Sequence, residues 1–433
     1  MKFTIHRGTQ EIGGSCVEVW TDTTRLVIDL GMPLVGLDQS KFESRSIEGQ
    51  NIDELRQQGI LPNIEGLYKG GGTVSLILSH AHQDHYGLMN YIHDSCPVYL
   101  GEATHRLVEL TNLVLNKKWS IKNPQHFRSG ESFRIGNIDI TPFLMDHSAF
   151  DAYAFLIEAD GNSIFYSGDF RTHGRKAGAI KWLEKKVKPD IDYLLLEGTT
   201  IGRSDIRMLS EDEIETEFTR TFKETDGLNL VYSSGQNIDR LVSIYRACIK
   251  ANKTLAVDFY IANVLKELAA FAKVPYPSKE YPKISVFYPY RLSRMISRQG
   301  NANLLYRFRS FKITRDQIDE KHRDIVMIVR PSMKSDLELM KNLDGATFTY
   351  SLWSGYKKEG ATKEFIEYLT SRGVAQKSIH TSGHADRAGL QQMIDILQPK
   401  HLVPMHTFEG DQYADIFEEE NVLRINDGQV VSC

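Results

Sequence analysis

The sequence has few cysteines and no long apolar run, and each absence excludes a class of protein. Its 433 residues include four cysteines, none of them in a CxxC pair. Scattered thiols are typical of a reduced cytoplasmic protein, not of a disulfide-rich secreted domain or a cysteine zinc site. No segment has the roughly 20 apolar residues of a membrane span, and the first residues lack the apolar stretch of a signal peptide. We expect a cytoplasmic protein with no membrane partner.

The chain carries no excess of positive charge either. Its net charge at pH 7 is -4, so a nucleic-acid partner would need a locally basic surface. At 433 residues the chain exceeds one typical hydrophobic core, and we therefore expect two domains.

The most informative segment is the HxHxDH motif of residues 80–85. It places three histidines and one aspartate within six positions, directly after a strand-like run from Thr73 to Ser79. A strand that ends in a tight loop can direct alternate side chains toward one point. Imidazole and carboxylate ligands suit zinc, manganese or iron, and an open coordination position would let the metal hold a reactive water. The motif therefore predicts a metal centre.

Further ligand-type residues follow strand-like segments later in the chain. Alone, each could be a packed histidine or a turn carboxylate, but the first cluster favours metal binding. The proposed ligands are His80, His82, Asp84, His85, His147, Asp169 and His406. Two divalent ions about 3.5–4 Å apart need about this many ligands, with a bridging carboxylate and a bridging water. We expect His80, His82 and His147 at one ion, Asp84, His85 and His406 at the other, and Asp169 between them.

The order of elements predicts an inserted domain. The first part of the chain is β-rich, whereas strands and helices alternate after about residue 205, as in a parallel α/β sheet. Ligand-type residues lie on both sides of this α/β unit, so an insert fits better than two domains in series. The predicted division assigns 1–205 and 351–433 to the metal-binding domain and 206–350 to the insert.

Together these motifs resemble those of metallo-β-lactamase-fold nucleases of the β-CASP family, most closely ribonuclease J. The HxHxDH motif, the separate His147, the Gly168–Asp169 pair and the late His406 are similar to the metallo-β-lactamase pattern. Residues 380–385 resemble the HxSGHA segment of the β-CASP nucleases. The resemblance covers nearly the whole chain. It implies an α/β fold, an αββα sandwich with an inserted β-CASP α/β domain.

The resemblance also implies catalytic and substrate-binding residues. Asp84 is counted with the catalytic residues as well as the ligands, and His384 would assist at the scissile phosphate. Glu197 would orient a ligand or the catalytic histidine, although an acid at a strand end is common in any fold. A phosphate pocket would be lined through hydroxyls and backbone N–H groups by Ser233, Ser234, Ser382, Gly383 and Ala385.

Basic residues cluster within the predicted insert. Arg291, Arg294 and Arg298 have helical spacing on one face, and residues 306–312 alternate cations with aromatic rings. Such interleaving suits a groove that holds phosphates and stacks unpaired bases. The alternative is a solvated helix face followed by a half-buried strand.

We interpret the chain as a ribonuclease that hydrolyses single-stranded RNA with a water activated by two divalent ions. Zinc is the expected metal and manganese the alternative. A DNA nuclease of the same architecture, or a thioesterase or lactonase on the same core, would also be compatible with the metal centre. A binding protein with a degenerate site is disfavoured by the intact ligand set. The sequence leaves open whether the action is endonucleolytic or 5′ exonucleolytic. Homodimer formation also stays open, because ribonuclease J continues into a further C-terminal domain that supports dimer formation, whereas this sequence stops at Cys433.

Overall fold

The computed structural model describes residues 1–36, 41–70, 74–203, 207–358 and 360–433. The described residues form nineteen strands and fourteen α-helices. The strands are β1 (Lys2–Arg7), β2 (Cys16–Trp20), β3 (Arg25–Ile28), β4 (Val74–Ile77), β5 (Val98–Gly101), β6 (Pro124–Phe127), β7 (Phe133–Ile135), β8 (Ile138–Met145), β9 (Ala152–Ala159), β10 (Asn162–Tyr166), β11 (Tyr193–Glu197), β12 (Asn229–Tyr232), β13 (Thr254–Asp258), β14 (Ile284–Phe287), β15 (Ile325–Ile328), β16 (Thr347–Tyr350), β17 (Ala375–Ser378), β18 (His401–Met405) and β19 (Val430–Ser432). The helices are α1 (Ile52–Gln57), α2 (Gln83–Tyr86), α3 (Glu102–Val114), α4 (Gly178–Lys186), α5 (Glu211–Glu224), α6 (Ile238–Lys250), α7 (Phe259–Leu268), α8 (Tyr290–Arg298), α9 (Ala302–Tyr306), α10 (Arg315–Glu320), α11 (Lys334–Glu338), α12 (Gly360–Ser371), α13 (Arg387–Leu397) and α14 (Tyr413–Ile416).

The chain divides into two compact units. The first comprises residues 1–112, 118–207 and 383–433, and the second comprises 113–117 and 208–382. Residues 351–382 pack with the second unit because β17 pairs with β16. The predicted boundary at 350 lies before this strand, and the predicted boundary at 205–206 lies outside the described residues. The division of the chain into named domains stays a proposal.

The first unit is built on two sheets. One has the strand order β19-β1-β2-β3-β4-β5-β6 and the other β18-β11-β10-β9-β8-β7. Side chains from both sheets form one apolar core, for example Phe3 and Val19 with Phe155 and Ile164. Strand β9 is buried on both faces: Phe155 points into this core, whereas its neighbour Ala154 belongs to a second core that includes α4 and α13. A layer of helices therefore covers the second sheet.

Strand direction brings the candidate ligands of the second sheet to one edge. Strands β10, β11 and β18 are parallel, and β8 has the same direction because both β8 and β10 pair antiparallel with β9. The carboxyl ends of β8, β10, β11 and β18 therefore lie at the same edge of the sheet. The predicted strand before the HxHxDH motif is β4, which begins at Val74; Thr73 lies outside the described residues.

The second unit is a parallel α/β sheet with the order β14-β13-β15-β12-β16-β17. Its apolar strands alternate with amphipathic helices, as the sequence pattern predicts. In α6 the residues Leu241, Ile244 and Cys248 are buried at helical spacing, while Asn237 caps the helix by accepting a hydrogen bond from the backbone N–H of Arg240.

None of the helices in the described ranges is both long and apolar enough to cross a membrane. All four cysteines lie within those ranges and all four are free thiols.

A buried ion pair in the second unit gives a test of its packing. Arg240 is fully buried and donates hydrogen bonds to both carboxylate oxygens of Glu211, at 3.3 and 3.1 Å. Arg240→Ala would leave the Glu211 charge without this partner, and we expect it to lower the free energy of unfolding by about 3–5 kcal/mol. Thermal or urea denaturation measures this loss.

The matched control is Arg246→Ala on the same helix. Arg246 lies 3.8 Å from Glu215 and its side chain is 55% exposed, so its removal should cost about 1 kcal/mol or less. Equal losses in the two variants would contradict the assigned role of Arg240.

Candidate metal centre

The HxHxDH motif forms a tight loop and one short helix after β4. His82 precedes α2, and the backbone N–H groups of His85 and Tyr86 both donate to its carbonyl. This turn places His80 and His85 with ring centroids 4.1 Å apart, and both side chains are completely buried. The loop is therefore held by its own backbone and presents several ligand-type side chains to one point.

The seven predicted ligands come together as two groups that share one residue. In each group the ligand atoms lie within 4.8 Å of one another. The first group is His80, His82, His147 and Asp169, and the second is Asp84, His85, Asp169 and His406. This is the division expected from the sequence, with Asp169 common to both. The binding of ions by these residues stays a prediction.

Buried polar atoms without a partner test whether divalent ions fit here. Nε2 of His80, His85 and His406 and Oδ2 of Asp169 are buried, and none of them has hydrogen-bond geometry with a described residue, although His85 Nε2 lies 3.2 Å from Asp169 Oδ2. Such atoms are rare in folded proteins because an unsatisfied buried polar group is costly. Imidazole nitrogens and carboxylate oxygens converging on one point are the donor set of zinc and similar ions. The arrangement fits divalent metal binding.

The electrostatics of the first group favour the metal-binding protonation state. Burial, reinforced by the neighbouring histidines, holds the pKa of His80 well below its usual range, and the pKa of His147 is also lowered chiefly by burial. Both rings are then neutral, the form that binds a metal. Burial opposes the charge of Asp169, but His406, His85 and His384 lower its pKa well below normal and keep it a carboxylate.

His85 behaves differently from the other histidines. Burial lowers its pKa, but the carboxylates of Asp169 and Asp29 outweigh burial and raise the pKa well above its usual range. Protons and divalent ions would therefore compete for this half of the site.

Asp29 is a supporting residue that the sequence does not reveal. Its buried carboxylate accepts hydrogen bonds from Ser79 N, Ser79 Oγ, Tyr166 Oη and His85 Nδ1, each at 2.7 Å. A carboxylate on the far nitrogen fixes the ring orientation and the tautomer of a metal-binding histidine. In the sequence Asp29 only ends a strand and precedes a turn, which many aspartates do.

Two other ligands are also held from their far nitrogens. Nδ1 of His147 donates to the carbonyl of Gly383 at 2.6 Å, and Nδ1 of His406 lies 2.8 Å from the Thr199 hydroxyl. The backbone N–H of Thr199 donates to Glu197, so this threonine connects the acidic residue to the last ligand. Nothing in the sequence marks Thr199 as a contact of a residue 207 positions away.

His384 and Glu197 lie beside the shared carboxylate. His384 Nδ1 is 3.3 Å from Glu197 Oε1 and 3.7 Å from Asp169 Oδ2. Burial opposes protonation, but Glu197 and then Asp169 raise the pKa of His384 above its usual value. The His384 side chain is 21% exposed whereas that of Glu197 is 2% exposed. Of the two, His384 is the residue that can reach a substrate.

The predicted phosphate-pocket residues have different surroundings. Ser233, Ser234 and Ser382 belong to the second unit and Gly383 and Ala385 to the first. The side chain of Ala385 is buried and packs in the core. Its carbonyl accepts a hydrogen bond from the Thr200 hydroxyl. A joint pocket stays a prediction.

Comparison with known proteins finds two matching domain families and several similar relatives. Residues 54–219 match the Beta-lactamase superfamily domain, and residues 374–419 match the Zn-dependent metallo-hydrolase RNA specificity domain. The chain is 22% identical to "Ribonuclease J" of Mycoplasma genitalium, 24% to that of Helicobacter pylori strain 26695 and 22% to that of Methanocaldococcus jannaschii. These alignments cover 98%, 94% and 98% of this chain.

The chain is similar to ribonuclease J. The predicted resemblance to the β-CASP metallo-β-lactamase-fold nucleases is therefore confirmed, and so is the prediction of a metallo-hydrolase. The chain spans 56% of the Helicobacter pylori protein, 72% of the Mycoplasma genitalium protein and 97% of the Methanocaldococcus jannaschii protein.

A solved structure shares the fold. The "Crystal Structure of a Protein of Unknown Function from Enterococcus faecalis V583" has a TM-score of 0.73 at 19% identity and aligns over 99% of both chains. With the two domain matches, this confirms the predicted α/β class, a metallo-β-lactamase domain in the β-CASP architecture.

The Asp29 network predicts an effect on metal affinity without loss of the fold. Asp29 has φ of 60°, a conformation that asparagine also adopts readily. Asp29→Asn keeps the shape but removes the charge that orients His85, and we expect it to weaken zinc binding about 10- to 100-fold. Competition with a chromophoric chelator measures the affinity.

The control is Asp139→Asn, which removes an exposed carboxylate that pairs with Arg134 in the same unit. Unchanged zinc affinity in Asp29→Asn, or an equal loss in Asp139→Asn, would refute the role of Asp29.

Proposed function

We propose that this chain is a metal-dependent ribonuclease that hydrolyses phosphodiester bonds in single-stranded RNA. The observation that supports this most strongly is the pair of ligand groups that share Asp169. The similarity to proteins named ribonuclease J and the match to an RNA specificity domain indicate the substrate class. RNA processing or decay, by endonuclease or 5′ exonuclease action, in the cytoplasm is part of the same proposal.

The ligands would hold two divalent ions. When bound, zinc or alternatively manganese ions would activate a water molecule and neutralise charge that develops on the phosphate. The residues proposed to hold them are His80, His82, Asp84, His85, His147, Asp169 and His406. Asp29 and Thr199 would keep His85 and His406 in the ligating orientation through their far nitrogens.

His384 is the proposed catalytic residue outside the ligand set. Glu197 lies against its Nδ1 and raises its pKa, which favours the protonated ring. A protonated imidazole can donate a hydrogen bond to a phosphate oxygen or give a proton to the leaving oxygen. Glu197 is itself fixed by the backbone N–H groups of Phe170 and Thr199, at 3.3 and 3.1 Å. It is therefore a positioning residue in this proposal.

Substrate phosphate would be bound by hydroxyl and backbone groups. The proposed residues are Ser233, Ser234, Ser382, Gly383 and Ala385, with Ala385 contributing through its backbone only because its side chain is buried.

Metal dependence is tested directly with end-labelled single-stranded RNA and DNA. We expect wild-type protein to cleave RNA, and a chelator or Asp84→Ala to abolish cleavage, because Asp84 belongs to the second ligand group. Gel analysis of the products measures both effects. Chelator-insensitive cleavage, or full activity of Asp84→Ala, would refute the mechanism. Hydrolysis of a thioester or lactone without cleavage of either nucleic acid would refute the assigned substrate.

The role of His384 predicts a loss of rate without a loss of metal. His384→Ala should lower the cleavage rate by about 100-fold or more, since general acid catalysis contributes roughly 10²–10⁴-fold. Atomic spectroscopy should find the same metal content as in wild type. The control His126→Ala removes an exposed histidine on β6 and should leave both values unchanged. A normal rate in His384→Ala would exclude the role.

A further inference from the structure

Positive charge is concentrated in one segment of the second unit. Residues 288–315 contain six arginines and one lysine but no aspartate or glutamate, in a chain whose net charge is -4. Such segregation is unexpected for a segment that only fills space on the surface, because like charges repel one another.

The structure exposes most of these cations together with two aromatic rings. In α8 only Ile296 is buried, while Arg291, Arg294 and Arg298 are exposed at a spacing that places them on one side of the helix. Residues 306–312 do not form the half-buried strand considered above; Tyr306 ends α9, and Arg309–Phe311 is a single 3-10 turn. We define the basic surface as Tyr290, Arg291, Arg294, Arg298, Tyr306, Arg309 and Lys312.

Most cations of this surface form no ion pair with a described carboxylate. In the described ranges, Arg294, Arg298, Arg309 and Lys312 have no carboxylate within ion-pair distance, whereas neighbouring Arg307 pairs with Glu267 at 2.7 Å. Burial raises the pKa of the Asp336 carboxyl. The charge of Arg291 lowers this pKa, but burial outweighs that effect. The surface therefore attracts a polyanion.

The aromatic side chains narrow the class of polyanion. Tyr290 is 63% exposed and Tyr306 is 60% exposed, although large rings are usually buried. Exposed rings beside cations are the components of surfaces that bind single strands, where phosphates pair with cations and bases stack on rings. An anionic membrane would instead require several exposed aliphatic side chains, and on α8 the large exposed aliphatic side chain is Met295.

We propose that the basic surface binds single-stranded RNA through phosphate contacts and base stacking. The inference rests on the proposed ribonuclease function for the identity of the polyanion. It adds a second set of RNA contacts, carried by the second unit, to the metal ligands of the first unit.

The test measures binding by the full chain without cleavage. In the Asp84→Ala background, fluorescence anisotropy follows an unstructured labelled RNA of about 30 nucleotides, long enough for several contacts. Combining Arg291→Gln, Arg294→Gln and Arg298→Gln should lower affinity roughly 10- to 100-fold near 0.1 M salt, and reduce the slope of log K against log salt by about 2. The control combines Lys185→Gln, Lys186→Gln and Lys188→Gln, which removes the same charge from exposed positions in the first unit.

A second variant separates RNA from lipid. Tyr290→Leu with Tyr306→Leu removes the stacking rings but keeps apolar bulk, so it should weaken RNA binding about tenfold. Sedimentation with vesicles of three parts phosphatidylcholine to one part phosphatidylserine should show no binding by wild type.

Several outcomes would overturn the proposal: no RNA binding, equal losses in the arginine and lysine triples, or vesicle binding that depends on the three arginines. The ribonuclease function is judged separately, by cleavage with wild-type protein. Loss of RNA affinity in the arginine triple supports the surface even if cleavage is absent, whereas unchanged affinity rejects the surface and leaves a cleaving enzyme intact.

Discussion

The carboxylate of Asp169 is the group on which the organisation of the site depends. It belongs to both ligand groups, and its buried Oδ2 lies 3.2 Å from His85 Nε2 without hydrogen-bond geometry. A buried carboxylate is tolerable only when positive charge lies close by. In the protein alone that charge comes from the surrounding histidines, which lower the pKa of Asp169. A bound divalent ion would supply this positive charge instead. The site therefore favours cations even without a substrate.

The fold accounts for this convergence. Four strands of one sheet end at the same edge, and the residues that follow β8, β10 and β18 include His147, Asp169 and His406. The other sheet contributes its ligands from the loop after β4. Three of the ligands are oriented by neighbours: His85 by Asp29 directly after β3, His147 by the backbone of Gly383, and His406 by the Thr199 hydroxyl. The chemistry resides in loops whose positions are fixed by packed strands.

The sequence predicts the ligands better than their supports, and the reason is physical. Histidines and aspartates clustered at strand ends are uncommon unless they bind something, so the HxHxDH motif indicates the centre directly. Asp29 and Thr199 act through hydrogen bonds to residues 56 and 207 positions away, and such pairs leave no local pattern. The parallel sheet of the second unit was predictable from alternating apolar strands and helices. Its last strand was not, because β17 is mostly exposed and lacks an apolar run.

The segment 306–312 forms a structure that its alternating pattern does not predict. Alternating cations and aromatic rings also predict a half-buried strand, since alternate side chains of a strand point to opposite faces. The segment instead completes a helix and forms a turn, with Phe308 buried and Tyr306 and Arg309 exposed. Cations and a ring consequently share the solvent side rather than being divided between two faces. An ordinary half-buried strand would have hidden the rings, whereas this arrangement leaves one available to a base.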